Sequence, residues 1–129
     1  MALESNVQSE GVYPVDVVKW EADQRYTREK ITLKGTEDDE LEVGQILEED
    51  EYGDYVTLAN AANAAAILLE NVTIPAAAEI ETIALIRGPA IVTDEHLAYN
   101  EEDSATVNAA LLNLGIKVES ALTWVEQTT

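Results

Sequence analysis

The single histidine of the chain, His96, follows two carboxylates, Asp94 and Glu95. Imidazole beside carboxylate is the pairing used for general-base work or for holding a metal. Neighbours on an extended chain point to opposite faces, so a working pair needs partners delivered by the fold, and a surface or capping role is the expected one. Two acidic runs, Glu37-Asp38-Asp39-Glu40 and Glu48-Glu49-Asp50-Glu51, could supply oxygens to a hard cation such as calcium. They lack the alternating acids, central glycine and terminal glutamate of an EF-hand loop, and read as solvated turns. Asp54 after Gly53 is hairpin chemistry. There is no cysteine, hence no thiolate nucleophile, thiolate ligand or disulfide. Serine-hydrolase elbow, phosphate loop, dinucleotide fingerprint and zinc-protease motif are all missing from the sequence. The expectation is a protein that is not an enzyme and takes no cofactor and no metal.

With 129 residues the chain has room for one domain with a modest core. The core must be aliphatic, because there is no phenylalanine and much of the 47% hydrophobic content is alanine. The formal net charge is −19, and it is unevenly placed. Residues 1–36 hold five of the seven basic residues, Lys19, Arg25, Arg28, Lys30 and Lys34, against six acids, a net of −1; the remaining residues carry −18. So acidic a surface repels phosphate backbones and anionic membrane faces, so neither nucleic acid nor membrane is an expected partner. Self-repulsion of this size is screened over about 3 Å at 1 M salt, which predicts folding that depends on salt. The N-terminal MALESNVQSEG has neither the basic nor the apolar region of a secretion signal, and no run approaches a membrane span; the expectation is a soluble protein made in the cytoplasm.

The elements that would position any site are mostly short strands. Arg28 to Leu33 alternates, with Ile31 and Leu33 on one face, and Gly35 ends it. Leu41 and Val43 share a face, and Gly44 marks a bulge or tight bend before Ile46-Leu47. Gly53 opens a hairpin into Tyr55 to Leu58. Residues 59–66, ANAANAAA, read as loop into strand, and Ala66 to Leu69 as a buried strand. Ile80 to Arg87 is the clearest strand; Gly88-Pro89 interrupts it, and Ala90 to Thr93 resumes it. One helix stands out: Val107, Ala110, Leu111 and Leu114 fall at helical spacing, Asp103 or Ser104 can cap the start, and Gly115 closes the end. Ile116 to Val118 returns to a sheet. Leu85, Ile86, Ile91 and Leu111 are expected in the core.

Residues 1–27 are polar and broken by Gly11 and Pro14, and they read as an extended arm with an embedded β-prone run. Pro14 biases Tyr13 toward extended geometry, so that Val12 to Trp20 becomes a strand when an edge is offered. The alternative is an edge strand of the protein's own sheet.

Taken in order, ITLKG (Ile31 to Gly35), Leu41, Val43-Gly44, Ile46-Leu47, Gly53-Asp54-Tyr55-Val56, AAILLENV (Ala65 to Val72), RGPAIV with Leu97-Ala98-Tyr99, and the helix ending at Gly115-Ile116 resemble the head decoration proteins of tailed bacteriophages related to lambda protein D. The resemblance covers roughly residues 28–118; the acidic turns depart from it, and the tail after Val118 is unmatched. It implies a mainly β fold with one or two short helices, a small β-barrel-like (β-tulip) domain over 28–118, preceded by the arm (1–27) and followed by a segment (119–129) packed on the same domain or left as a tail. Gly35, Gly44, Gly53, Gly88, Pro89 and Gly115 are its motif positions. It further implies a homotrimer on the capsid exterior of the virion, at threefold or quasi-threefold positions, clamping neighbouring subunits of the major capsid protein. The arm residues expected to meet that partner are Val12, Tyr13, Pro14, Val15, Val17, Val18, Lys19, Trp20 and Arg25, by strand addition and by cations facing acidic patches. On this reading, deletion of residues 1–20 leaves the domain folded and abolishes attachment. Two other functions fit the acidity: a DNA-mimicking inhibitor, against which the clustering of acids in two turns argues, and a small ligand- or calcium-binding module.

Overall fold

The computed structural model describes residues 13–35, 38–99 and 101–120. Its elements are α1 (Pro14–Val17), β1 (Val18–Glu21), α2 (Gln24–Thr27), β2 (Arg28–Lys34), β3 (Asp39–Leu41), β4 (Ile46–Glu49), β5 (Tyr55–Thr57), a 3₁₀ turn (Ala61–Asn63), β6 (Ala64–Leu68), β7 (Val72–Ile74), β8 (Glu79–Leu85), β9 (Ala90–Thr93), a second 3₁₀ turn (Glu101–Asp103), α3 (Ser104–Asn113) and β10 (Ile116–Glu119). The fold is thus mainly β, with three short helices among the described residues.

Five strands close into a ring in the order β2-β5-β4-β6-β8. Alternation in β2 supports this arrangement: Ile31 and Leu33 are buried, while Lys30, Thr32 and Lys34 between and beside them are not. β2 runs antiparallel to β8 over seven registered pairs, from Arg28↔Leu85 to Lys34↔Glu79, and it meets β5 in parallel at Leu33↔Tyr55. β6, buried at four of five positions, pairs antiparallel with both β4 and β8. Leu33, Leu47, Ala66, Leu68, Ile74 and Ala84 fill one core cluster. The two-stranded pair β3–β7 lies beside the ring.

A separate three-stranded sheet has the order β1-β9-β10, antiparallel at β1 and parallel at β10. α3 packs on it and on β6, and Val17, Val18, Val92, Val107, Leu111 and Ile116 form the centre of the second cluster. Asp103 holds the N-cap position of α3 without its side chain capping. At the other end Gly115 takes φ +88° and closes the helix as expected. A Cβ on Gly88 would sit 1.8 Å from the Gly115 carbonyl oxygen, so this contact requires glycine. The closeness satisfies carbonyls that a helix end leaves open: Gly88 N donates to Leu114 O (2.8 Å) and Ala90 N to Gly115 O (3.2 Å).

The structure corrects the extended-arm reading for residues 14–27. Val17 is fully buried and Val18 nearly so, and β1 pairs with the protein's own β9. Pro14 fits the first turn of α1, the Asp16 carboxylate accepts from Tyr13 N (2.8 Å), and Asp23 starts α2 by accepting from Arg25 N (2.9 Å). A deletion of residues 1–20 would remove two core valines, so it is expected to destabilise the domain rather than leave it folded. Val12 and the rest of 1–12, together with 121–129, lie outside the described residues. Of the four expected core residues, Leu85 and Leu111 are fully buried, while Ile86 and Ile91 are half-buried. Ile91 registers with Trp20 and Lys117, which places it in the outer row of the sheet.

Candidate functional site

Of the residues expected to meet a partner, the structure separates two sets. Val17 and Val18 point into the core and are unavailable to a partner. Tyr13, Val15 and Trp20 are exposed at 42%, 69% and 50%, respectively. Trp20, Ile91 and Lys117 stand opposite one another across three strands, so their side chains share the outer face. Sequence reasoning missed Ile91 here because AIVT reads as a continuous apolar run; only the register shows which residue faces out.

The cations fare differently from expectation. Arg25 forms an ion pair with Asp23 (3.0 Å), Arg28 with Glu21 (2.5 Å) and Lys30 with Glu81 (3.9 Å). Lys34 lies between Asp54 (3.0 Å) and Asp50 (3.4 Å), and its ammonium sits 5.1 Å from the Tyr52 ring centre. Lys19 donates to the Val15 carbonyl (2.8 Å). Each of these cations is thus engaged within the chain. Desolvation opposes the charge on Glu21, but hydrogen bonds from Arg28 and Thr27 outweigh it and hold the carboxyl below its ordinary range. A second clamp, absent from the sequence reading, centres on Arg87: it donates to the Tyr26 carbonyl, pairs with Glu29 (2.5 Å) and stacks 4.8 Å from the Tyr26 ring. It ties the loop around α2 to the end of β8.

The acidic runs act as caps. Asp50 accepts from Tyr52 N and Asp54 N (both 2.9 Å), Glu48 from Ala59 N (2.8 Å) and Asn60 N (3.0 Å), and Asp38 from Ala76 N (2.8 Å). Gly53, at φ +86°, completes the β4–β5 hairpin. Among the described residues no group of three or more histidine, aspartate or glutamate side chains is arranged to hold a metal ion. His96 is partly exposed, 3.8 Å from the Glu95 carboxylate. Its backbone has the clearer role: a Cβ on Gly44 (φ +103°) would lie 2.1 Å from the His96 carbonyl oxygen, and Ala98 N donates to Gly44 O (3.0 Å). Gly44 is therefore a close-approach point between two loops, beside the bend expected there. Among the described residues no helix is long and apolar enough to cross a membrane.

Exposed Tyr13, Val15 and Trp20 thus stand on an otherwise acidic, mainly β domain. The family model for bacteriophage lambda head decoration protein D matches residues 7–117. The chain belongs to that family. No curated protein matches it. This decoration-family chain is therefore one of a structural rather than catalytic class, from the phage head. The match takes in α1, β1 and α2, so the packed segment 14–27 lies within the family's matched region, and it ends inside β10, leaving residues 118–129 beyond it.

Proposed function

We propose that this protein decorates and stabilises a phage head: as a homotrimer on the outside of the mature capsid, at threefold or quasi-threefold positions, it bridges neighbouring major capsid subunits. The observation that carries this reading is family membership over residues 7–117, nearly the whole described fold. The physics of the role is linkage. Packaged DNA tends to part capsid subunits at their junctions, and a trimer that touches several subunits adds binding energy that separation would lose.

Residues 1–12 and the exposed Tyr13, Val15 and Trp20 form the attachment region in this reading. The first twelve residues contain Glu4 and Glu10 and no lysine or arginine. Attachment there rests on apolar and main-chain contacts, such as strand addition to a capsid edge, rather than on cations.

The test has two parts. Light scattering of the free protein gives the native mass; three copies of 14.1 kDa, about 42 kDa, support the trimer. A variant lacking residues 1–12 is then mixed with capsids stripped of decoration. It is expected to fold normally and to lose attachment. Binding equal to that of the full chain overturns the role given to the N-terminal residues.

A further inference from the structure

We infer that the exposed face of α3, with the 3₁₀ turn Ala61–Asn63 beside it, is the surface by which copies of this chain pack against one another. This rests on the trimer of the decoration reading above and adds to it the place on the protomer where the copies meet.

The chain is 26% charged, and its two longest stretches without an aspartate, glutamate, lysine or arginine are residues 55–69 and 104–116. Distant in sequence, they are joined by the fold: α3, from the second stretch, lies against the 3₁₀ turn and β6, both from the first. α3 is uncharged on all sides. Val107 and Leu111 are fully buried, whereas Ala105, Thr106, Ala109, Leu112 and Asn113 are exposed, Leu112 at 60%. Ala105, Ala109 and Leu112, at i, i+4 and i+7, form one row on the side away from the buried pair. A helix of a soluble domain ordinarily turns charged residues to water, and one that is apolar all round is covered all round. Exposed Ala62 and Asn63 on the turn extend the same uncharged surface.

Charge selects the occupant. A second copy carries the same net −19, so two copies approach closely only where neither presents a free carboxylate. The carboxylate held at the turn, Glu48, is already engaged, accepting from Ala59 N (2.8 Å) and Asn60 N (3.0 Å). Glu102 and Asp103 precede α3 and stand at the rim of the patch, where water and salt screen them. Position separates this face from the capsid contact. α3 packs under the inner face of the β1-β9-β10 sheet, while Trp20 and Ile91 stand on its outer face. A capsid surface held at Trp20 is therefore across the sheet from the exposed row of α3. Around a threefold axis, three such faces close a ring; Ala105 and Ala109 let the helices come near, and Leu112 supplies the apolar contact.

The experiment measures native mass by light scattering over a concentration series in molar salt, for the full chain, Ala109→Glu, Leu112→Ser and a charge-matched control, Gln24→Glu, at an exposed position of α2. Circular dichroism of each checks the fold; should Ala109→Glu lose structure, Leu112→Ser decides. The full chain and the control are expected at three times 14.1 kDa, about 42 kDa. Ala109→Glu is expected at the mass of one copy, because its carboxylate would be buried unpaired between copies. Leu112→Ser is expected to raise the concentration of half-dissociation at least tenfold. A folded, trimeric Ala109→Glu, or unchanged half-dissociation for Leu112→Ser, overturns this interface and leaves the trimer standing; loss of capsid attachment by such a trimeric variant gives the face to the capsid instead. Dissociation of Gln24→Glu as well shows a general effect of charge and also overturns it. A full chain that is monomeric at every concentration overturns the trimer reading and this interface with it.

Discussion

Val15 and Val17 lie two residues apart in the PVDV turn, and they give a sharp test of whether residues 14–21 belong to the core. Val17 is 0% exposed and packs in the cluster under the three-stranded sheet; Val15 is 69% exposed. Val17→Ala removes two buried carbons worth about 0.8 kcal/mol each and leaves a small cavity, for a total of about 2–3 kcal/mol. Val15→Ala removes the same atoms from water and changes stability by less than about 0.5 kcal/mol. For a domain of this size each kcal/mol moves Tm by about 4 °C, so Val17→Ala lowers Tm by about 8–12 °C and Val15→Ala by about 2 °C or less. Thermal unfolding followed by circular dichroism in molar salt reads both. Alanine substitution is used rather than deletion because deleting the segment also removes the entropy cost of ordering its backbone, which obscures the packing term. Equal, small shifts for the two variants would refute the packed β1 and restore the free arm.

Three other outcomes follow from the same structure. Arg28→Ala strands Glu21, whose side chain is only 11% exposed, and is expected to cost about 2–4 kcal/mol by denaturant titration, below the full-burial range because Arg28 itself is 24% exposed. The Glu21 carboxyl is held below its ordinary value of 4.5, so the unfolded state binds more protons below that pH; stability is present above about 4.5 and lost as pH falls through the lower folded value, and Glu21→Gln should flatten that part of the profile. Gly44→Ala meets both a left-handed φ and the His96 carbonyl at 2.1 Å, while Gly53→Ala meets the φ with only an ordinary 3.8 Å contact to the Glu49 carboxylate; the expected costs are about 2–5 and about 1–2 kcal/mol, and the reverse order in chemical denaturation would show that the 44–96 contact is not tight. Raising salt from millimolar to molar should raise Tm, because a net charge of −19 repels itself across the surface; identical midpoints would remove self-repulsion as a term in stability.

Where the local pattern decides, the residues were sufficient. Alternation placed Ile31 and Leu33 inward, helical spacing buried Val107 and Leu111 on α3, and Gly115 and Gly53 ended their elements at positive φ. What local pattern cannot carry is pairing between distant segments. β1 finds its partner some seventy residues away, and that choice turned Val17 and Val18 from arm residues into core. The one-turn helices around them are too short to show a helical period, and carboxylates help to fix them: Tyr13 N donates to Asp16 and Arg25 N to Asp23. Pro14 with Asp16 two residues later, and Asp23 two residues before Arg25, are the signals that could have shown them. Tyr13, Val15 and Trp20, named from sequence, are exposed, whereas the outward placement of Ile91 and the Arg87–Tyr26 clamp emerge only from register and tertiary contact.

The same structure changes what the charge is for. The clustering of five of the seven cations in a near-neutral N-terminal segment suggested cations reaching for an acidic partner, yet six of the seven lysines and arginines pair with the protein's own carboxylates, and Lys19 is held by a carbonyl. Several acids of the two runs are likewise engaged as caps on backbone amides. Charge in this chain is therefore largely engaged within the fold, which under the proposed function leaves contact with a partner to the exposed uncharged residues Tyr13, Val15 and Trp20. Association driven by cations weakens steeply with salt; association driven by apolar and main-chain contacts does not, and screening an acidic surface further favours it. A capsid-binding isotherm repeated from dilute to molar salt separates the two, because affinity that holds or rises supports the apolar end and affinity that falls by orders of magnitude returns the role to the cations.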